Sequence, residues 1–461
     1  MAIPRKSAVS APRAGRRLVQ GLVVRLRHHR PAILALVVRG LAVLAAFGVT
    51  FILGNRYGPA ATGAYALVTQ TAMFLAVAGL VGLDISVVRH FSKAVAKAMP
   101  VALRSLLQVL GLGFGMLGVI AATLWLGGDM VWQSLFGDVA GRELLLVLCV
   151  LLVGRGGAQL LGGLLRSQHR FTLGQAIAAL TVPGWTAIAL ATGIATTVED
   201  ALWAAAYAAL ASVAIGTLAM LRHVSRNEQA VTIPFKAVVL SSLPLWGVGI
   251  TLNIGDWYGL VISGQMLGAE ATGLYRVAMQ VAALLQIVST TIFSVYSAQI
   301  SAAFHADDSQ MAARLAHSAF RVSIIAAVPL AIAILGGGKF LLAQIGPEFI
   351  DAMPLLIILT IGQFAYAVFG PPGMVLAMSG HEKINLAITT GGTALMLVVA
   401  PLGAWVGGAQ GLVAGIILVM LTRNIVAYAI VRNTMGISIW AGTARADVIP
   451  KLDERDSTDF G

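Results

Sequence analysis

Of the 461 residues, 58% are apolar and 11% charged, with a mean hydropathy of +0.87. Those values exclude a soluble enzyme of this length, which needs far more charge to cover its surface. The net charge of +12 would suggest nucleic acid in a soluble chain, but here charge lies in short islands between apolar runs of roughly 20 residues, each long enough to span a bilayer. The basic residues therefore read as topology signals, and nucleic acid is not expected as a partner.

In chain order, residues 1–30 form a basic arm, either unstructured or lying as an amphipathic helix from Arg16 to Arg27 on the inner leaflet. The apolar run after it is too long for a cleaved leader. Spans follow near 32–54, 63–88, 103–126, 143–164, 173–194, 200–221, 238–262, 273–299, 317–337, 352–374, 384–405 and 408–431. All must be helical, because lipid offers backbone groups no partners and the runs lack the alternation of barrel strands. The expected fold is all-α: a polytopic bundle of about twelve transmembrane helices, with a polar, unstructured tail from about 442 within a cytoplasmic segment 437–461.

Lysine and arginine counts test the number twelve. With the N-terminus inside, inner segments hold 25 of the 31 basic residues and outer loops three, Arg56, Arg142 and Lys339. Such a bias through every loop places both termini in the cytoplasm. Trp125, Trp132, Trp203 and Trp405 sit where an outer interfacial belt would. The sole cysteine, Cys149, lies in an apolar run and reads as a small buried hydrophobe.

An internal repeat organises the chain. Gly58-Pro59-Ala60-Ala61-Thr62-Gly63-Ala64-Tyr65 returns as Gly268-Ala269-Glu270-Ala271-Thr272-Gly273-Leu274-Tyr275, five of eight positions identical at an offset of 210. Six spans per repeat predict two pseudo-symmetric lobes of like orientation, residues 31–226 and 232–436, with a cavity between them. The motif glycines have a purely local reading as well, as closers of short outer turns.

No cofactor or metal site is expected. Gly336-Gly337-Gly338-Lys339 lacks the remaining P-loop residues, the histidines lack ligand spacing, and nothing resembles a nucleophile elbow or paired catalytic acids. The chain is not expected to be an enzyme. Intramembrane ionisable groups are the functional candidates, since each costs about 2.5–3.5 kcal/mol or more at the bilayer centre. Arg39, Arg155 and Asp256 are read as cavity-lining, with Asn253, Gln70 and Gln280 as polar companions or interhelical hydrogen-bonding groups. Asp84, Arg89 and Arg276 fall near span ends, where snorkelling or an interfacial ion pair accounts for them.

Four segments carry a family resemblance. They are Gly58 to Tyr65 with the span ending Gly82-Leu83-Asp84, Asp256 through Gly268 to Tyr275, Ile345-Gly346-Pro347-Glu348-Phe349 to Leu356, and Gly373 to Gly380 before Lys383. In this order and spacing the chain, from about 32 to 434, resembles the Wzx-type oligosaccharide flippases of the multidrug/oligosaccharidyl-lipid/polysaccharide (MOP) exporter superfamily. The family often places a basic residue after the span-seven aspartate; here Trp257 follows. The resemblance implies a two-lobed transporter in the bacterial inner membrane. Its implied substrate is polyprenyl-pyrophosphate-linked oligosaccharide for capsule, exopolysaccharide or lipopolysaccharide O-antigen. A polysaccharide polymerase and assembly proteins are candidate partners. Arg39 and Arg155 would then hold the pyrophosphate. Three rivals stand beside it: a drug/cation antiporter of the related MATE type, disfavoured by an arginine and no carboxylate in span one; a MurJ-type lipid II flippase, which has fourteen spans; and a non-transporting scaffold for glycan-assembly enzymes.

Overall fold

The computed structural model describes residues 12–96, 100–222, 224–225 and 232–445; the arm before residue 12 and the tail beyond 445 lie outside them. Twelve α-helices occur in the order α1 (Pro12–Leu80), α2 (Leu83–Ala96), α3 (Leu103–Phe136), α4 (Leu145–Ser167), α5 (Phe171–Gln175), α6 (Thr181–Ala191), α7 (Val198–Leu221), α8 (Phe235–His305), α9 (Ser309–Ile345), α10 (Met353–Phe369), α11 (Pro372–Met378) and α12 (Glu382–Thr434). Nine stretches among the described residues are long and apolar enough to cross a membrane. Three of them, in α1, α8 and α12, span 44, 53 and 53 residues. At 1.5 Å per residue each is about 65–80 Å long, twice or more a bilayer core.

Each long helix is in fact an antiparallel hairpin. Non-helical backbone interrupts α1 at Gly58, α8 at Gly268, and α12 at Gly407 and Gly408. Contacts pair residues symmetrically about the α8 and α12 breaks, and both arms of α1 line one cavity. Gly264 faces Thr272 and Gly259 faces Tyr275 across the α8 turn, while Gly403 meets Gly411 and Gly415 meets Val399 across the α12 turn. Among the described residues three hairpins and six single crossings give twelve crossings, so the first crossing starts and the last one ends on one face, the terminal face; the opposite one is the far face.

Two repeat glycines make the turns. Gly58 (φ 77°, ψ −175°) and Gly268 (φ 87°, ψ 179°) adopt the same conformation, one that a side chain disfavours. Each turn is tied by a threonine hydroxyl donating to the glycine carbonyl, Thr62 to Gly58 at 3.0 Å and Thr272 to Gly268 at 2.7 Å. The two turns also pack on each other. Gly63 lies against the backbone of Ala269 and Gly273, and Gly273 against the Pro59 carbonyl. Any larger residue at either place would separate the segments, so the motif glycines close the far face. Elsewhere on that face Thr197 and Asp200 form a reciprocal capping box at the start of α7, and Arg142 pairs with Asp129 at 2.8 Å.

Three expectations change. The second crossing ends at Leu80: Val81 (φ 46°) and Gly82 (φ 74°) break it before α2, and Gly82 fits against the backbone of Ser242 and Trp246. Trp132 is not a belt residue. It is 5% exposed, stacked on Phe136, and donates to the Ala140 carbonyl, because α3 runs on past residue 126 and folds its end inward. The tail is ordered to residue 445. β3 (Ile437–Ser438) pairs antiparallel with β4 (Thr443–Ala444), and the buried Ile437 and Ile439 anchor this turn beneath α9 and α12. A second two-stranded pair joins β1 (Val101–Ala102) to β2 (Val224–Ser225).

Candidate functional site

α1 packs along α8, and Thr50 on α1 donates to the Gln280 amide oxygen on α8 at 2.8 Å. Beside this seam lies a cavity of about 450 Å³. Its wall follows helical spacing. Arg39, Ala42, Val43, Ala46, Val49, Thr50 and Leu53 descend the first arm of α1, and Tyr65, Ala66, Thr69, Gln70 and Met73 the second. Arg155, Gln159 and Arg166 recur at i, i+4 and i+11, placing all three on one face of α4. That face is free because the glycines beside it admit neighbours elsewhere: Gly154 takes Ala209, Gly156 takes Leu117, and Gly157 takes Phe114 and Val213. Arg276 of α8 completes the wall.

Four guanidinium groups thus face one space. Among the described residues no carboxylate comes within 4.0 Å of any of them. Arg155 donates to the Met73 sulfur at 3.5 Å, a weak acceptor, and the Nε of Arg166 is buried without a partner. Asp84 is tethered nearby by Gln159, whose amide donates to its carboxylate at 3.3 Å. Guanidinium groups held off carboxylates in a low-dielectric site are poised for an anion bearing several oxygens.

A second cavity, about 220 Å³, adjoins the first and shares Val43, Ala46 and Arg276 with it. Asp256, Gln280, Gln286 and Gln363 supply the rest of its polar lining. From Gln286 the second arm of α8 continues toward the terminal face with an exposed stripe of Thr290, Thr291 and Ser294. Their hydroxyls donate to carbonyls of the same helix, Thr290 to Gln286, Thr291 to Ile287 and Ser294 to Thr291.

The sequence-derived candidates divide accordingly. Arg39, Arg155, Gln70 and Tyr65 line the first cavity, and Asp256 and Gln280 the second. Asn253 lines neither; it donates to the Gly249 carbonyl of its own helix at 2.8 Å. Tyr275 is 2% exposed against Gly259, while Gly58, Gly63, Gly268 and Gly273 build the far-face turns. Arg276, read from sequence as interfacial, is instead the charged residue among the three common to both cavities, at a place where α1 packs along α8. Arg166, counted among the inner basic residues, also belongs to the wall. Its spacing from Arg155 and Gln159 was the available signal.

Comparison with known proteins places this geometry in context. The profile of a family described as polysaccharide biosynthesis protein matches residues 30–297. An uncharacterized membrane protein, EpsK, of Bacillus subtilis (strain 168) is 29% identical over 176 residues, 35% of this chain and 34% of its own. The chain thus spans about a third of that curated relative. Among solved structures, the inward-facing conformation of a multidrug resistance MATE family transporter of the MOP superfamily superposes with a TM-score of 0.67 at 16% identity, covering 90% of this chain and 100% of that one. The lipid II flippase MurJ in an inward closed conformation gives 0.67 at 11%, covering 87% of each. At such identities the likeness is one of fold.

Proposed function

This chain belongs to the polysaccharide biosynthesis protein family of membrane transporters, and from that premise we propose that it moves a polyprenyl-pyrophosphate-linked oligosaccharide from the inner to the outer leaflet of the bacterial cytoplasmic membrane. The observation that carries the reading is the first cavity, with four guanidinium groups and no carboxylate in its wall. A pyrophosphate diester is a compact multi-oxygen anion, the partner that planar guanidinium forks hold best. A cationic drug would meet repulsion there, which disfavours an antiporter of the MATE type.

Helical rise sorts the arginines into two tiers. Measured from the far-face turns, Arg276 and Arg155 lie about 12–15 Å deep, and Arg39 and Arg166 about 27–31 Å. With the terminal face cytoplasmic, as the basic loops require, the lower tier meets the lipid-linked pyrophosphate at the inner leaflet and the upper tier takes it on. The polyprenyl chain stays in the hydrocarbon while the sugar crosses the polar interior. Residues 31–226 and 232–436 act as the two lobes, rocking so that the glycine turns part at the far face as the terminal face closes.

The test follows the substrate. In spheroplasts of a strain lacking the gene, lipid-linked oligosaccharide should accumulate with its sugar inaccessible from outside, and plasmid-borne protein should restore access. Unchanged outer display without the gene would overturn the assignment.

A further inference from the structure

The second cavity offers different chemistry from the first. Its single cation, Arg276, is matched by one anion, Asp256, and the remaining polar groups are the amides of Gln280, Gln286 and Gln363. These amides are underused. The Gln363 oxygen is buried without a partner. Gln280 accepts the Thr50 hydroxyl, leaving its nitrogen without an acceptor among the described residues, and Gln286 lies on the exposed face of α8.

We infer that this cavity is a sugar subsite, holding the glycan residues nearest the pyrophosphate while the first cavity holds the pyrophosphate itself. The inference rests on the proposed function. Sugar hydroxyls both donate and accept, as primary amides do, and Asp256 can accept from a hydroxyl without needing a cation. A rotation of the Gln363 side chain, which lines the cavity, would turn its unpartnered amide oxygen toward a ligand hydroxyl. Arg276, common to both walls, stands where phosphate passes into sugar. At about 220 Å³ the space suits the one or two sugar residues next to the pyrophosphate.

The test uses the full chain in lipid nanodiscs with two probes, polyprenyl pyrophosphate and polyprenyl-pyrophosphate-linked disaccharide. Wild type should bind the disaccharide lipid more tightly than the bare one. Gln363→Leu and Gln286→Ala should each weaken the disaccharide lipid roughly 3- to 15-fold, the worth of one hydrogen bond, and leave the bare lipid unchanged. Gln286→Ala alters an exposed side chain, so its result stands even if Gln363→Leu fails to fold. Equal weakening of both lipids, or of neither, would overturn the subsite. So would wild-type binding that gains nothing from the disaccharide. Failure of wild type to bind either lipid would instead strike the pyrophosphate assignment.

Discussion

Gln70 and Gln280 stand 210 residues apart, at the same position of the repeat, and each lines one of the two cavities. Four residues earlier the halves part company: Ala66 in the first, Arg276 in the second. The first-half wall gathers Arg39, Arg155 and Arg166, while the second half contributes amides, one aspartate and Arg276 alone. A repeat that keeps its turn geometry has thus let its chemistry diverge. The glycines and threonines keep the turn the same in both halves, whereas a few inward-facing side chains make one cavity cationic and the other rich in amides.

The comparison breaks most readily at Arg155. Arg155→Ala should lower flipping of the lipid-linked oligosaccharide about 10- to 100-fold, with membrane insertion unchanged, because a charge-assisted contact in a low-dielectric wall is lost. Arg155→Lys should recover only part of it, since a point charge cannot replace a planar fork. Export at the wild-type rate in both would make Arg155 structural.

Moving a charge between the halves sharpens the contrast. Arg276→Ala should weaken polyprenyl pyrophosphate binding roughly tenfold, and Ala66→Arg added to it should restore most of that affinity, because Ala66 faces the same first cavity. Binding measured by titration in nanodiscs decides; no restoration would mean that position, not charge, sets the site.

At the shared turns the halves should behave alike. Gly63→Leu and Gly273→Leu should each force the far-face segments apart and favour the outward-open state several-fold. With Cys149→Ala removing the single cysteine, Gln70→Cys can report the opening by reaction with a membrane-impermeant maleimide added outside. Labelling no faster than in the parent would show that the turns are no gate. The smallest effect belongs to the second half alone: Trp440 packs at a tilt against Tyr428 with centroids 4.5 Å apart and donates to the Val368 carbonyl at 2.9 Å. Trp440→Ala should cost about 1–2 kcal/mol and lower the thermal midpoint by a few degrees.

Much of the fold was legible because lipid imposes few solutions. Run length gave twelve crossings, and the charge of each loop gave a common side for the ends. Of the residues that line the cavities, the sequence offered Arg39, Arg155 and Gln70 for the first and Asp256 and Gln280 for the second. Arg276 sits eight residues from a turn, a distance at which sequence cannot distinguish a snorkelling side chain from one roofed by another helix. Arg166 was hidden among basic loop residues that obey the same rule for another reason. Gln363 gave no signal, since an unpartnered amide oxygen is a property of three-dimensional packing. The break at Val81 and Gly82 needed knowledge of the α8 backbone against which it rests.

The strand pair after α12 has a consequence for how the protein is made. Gln310, at the start of α9, accepts from the Ala444 amide and donates to the Gly442 carbonyl, and His317 contacts the Ile439 carbonyl at 3.1 Å. These contacts join residues more than 120 positions apart. When α9 leaves the ribosome its partners do not yet exist, and α9 to α12 must wait in the bilayer with an unfilled seam. A chain ended before residue 437 would keep that seam open.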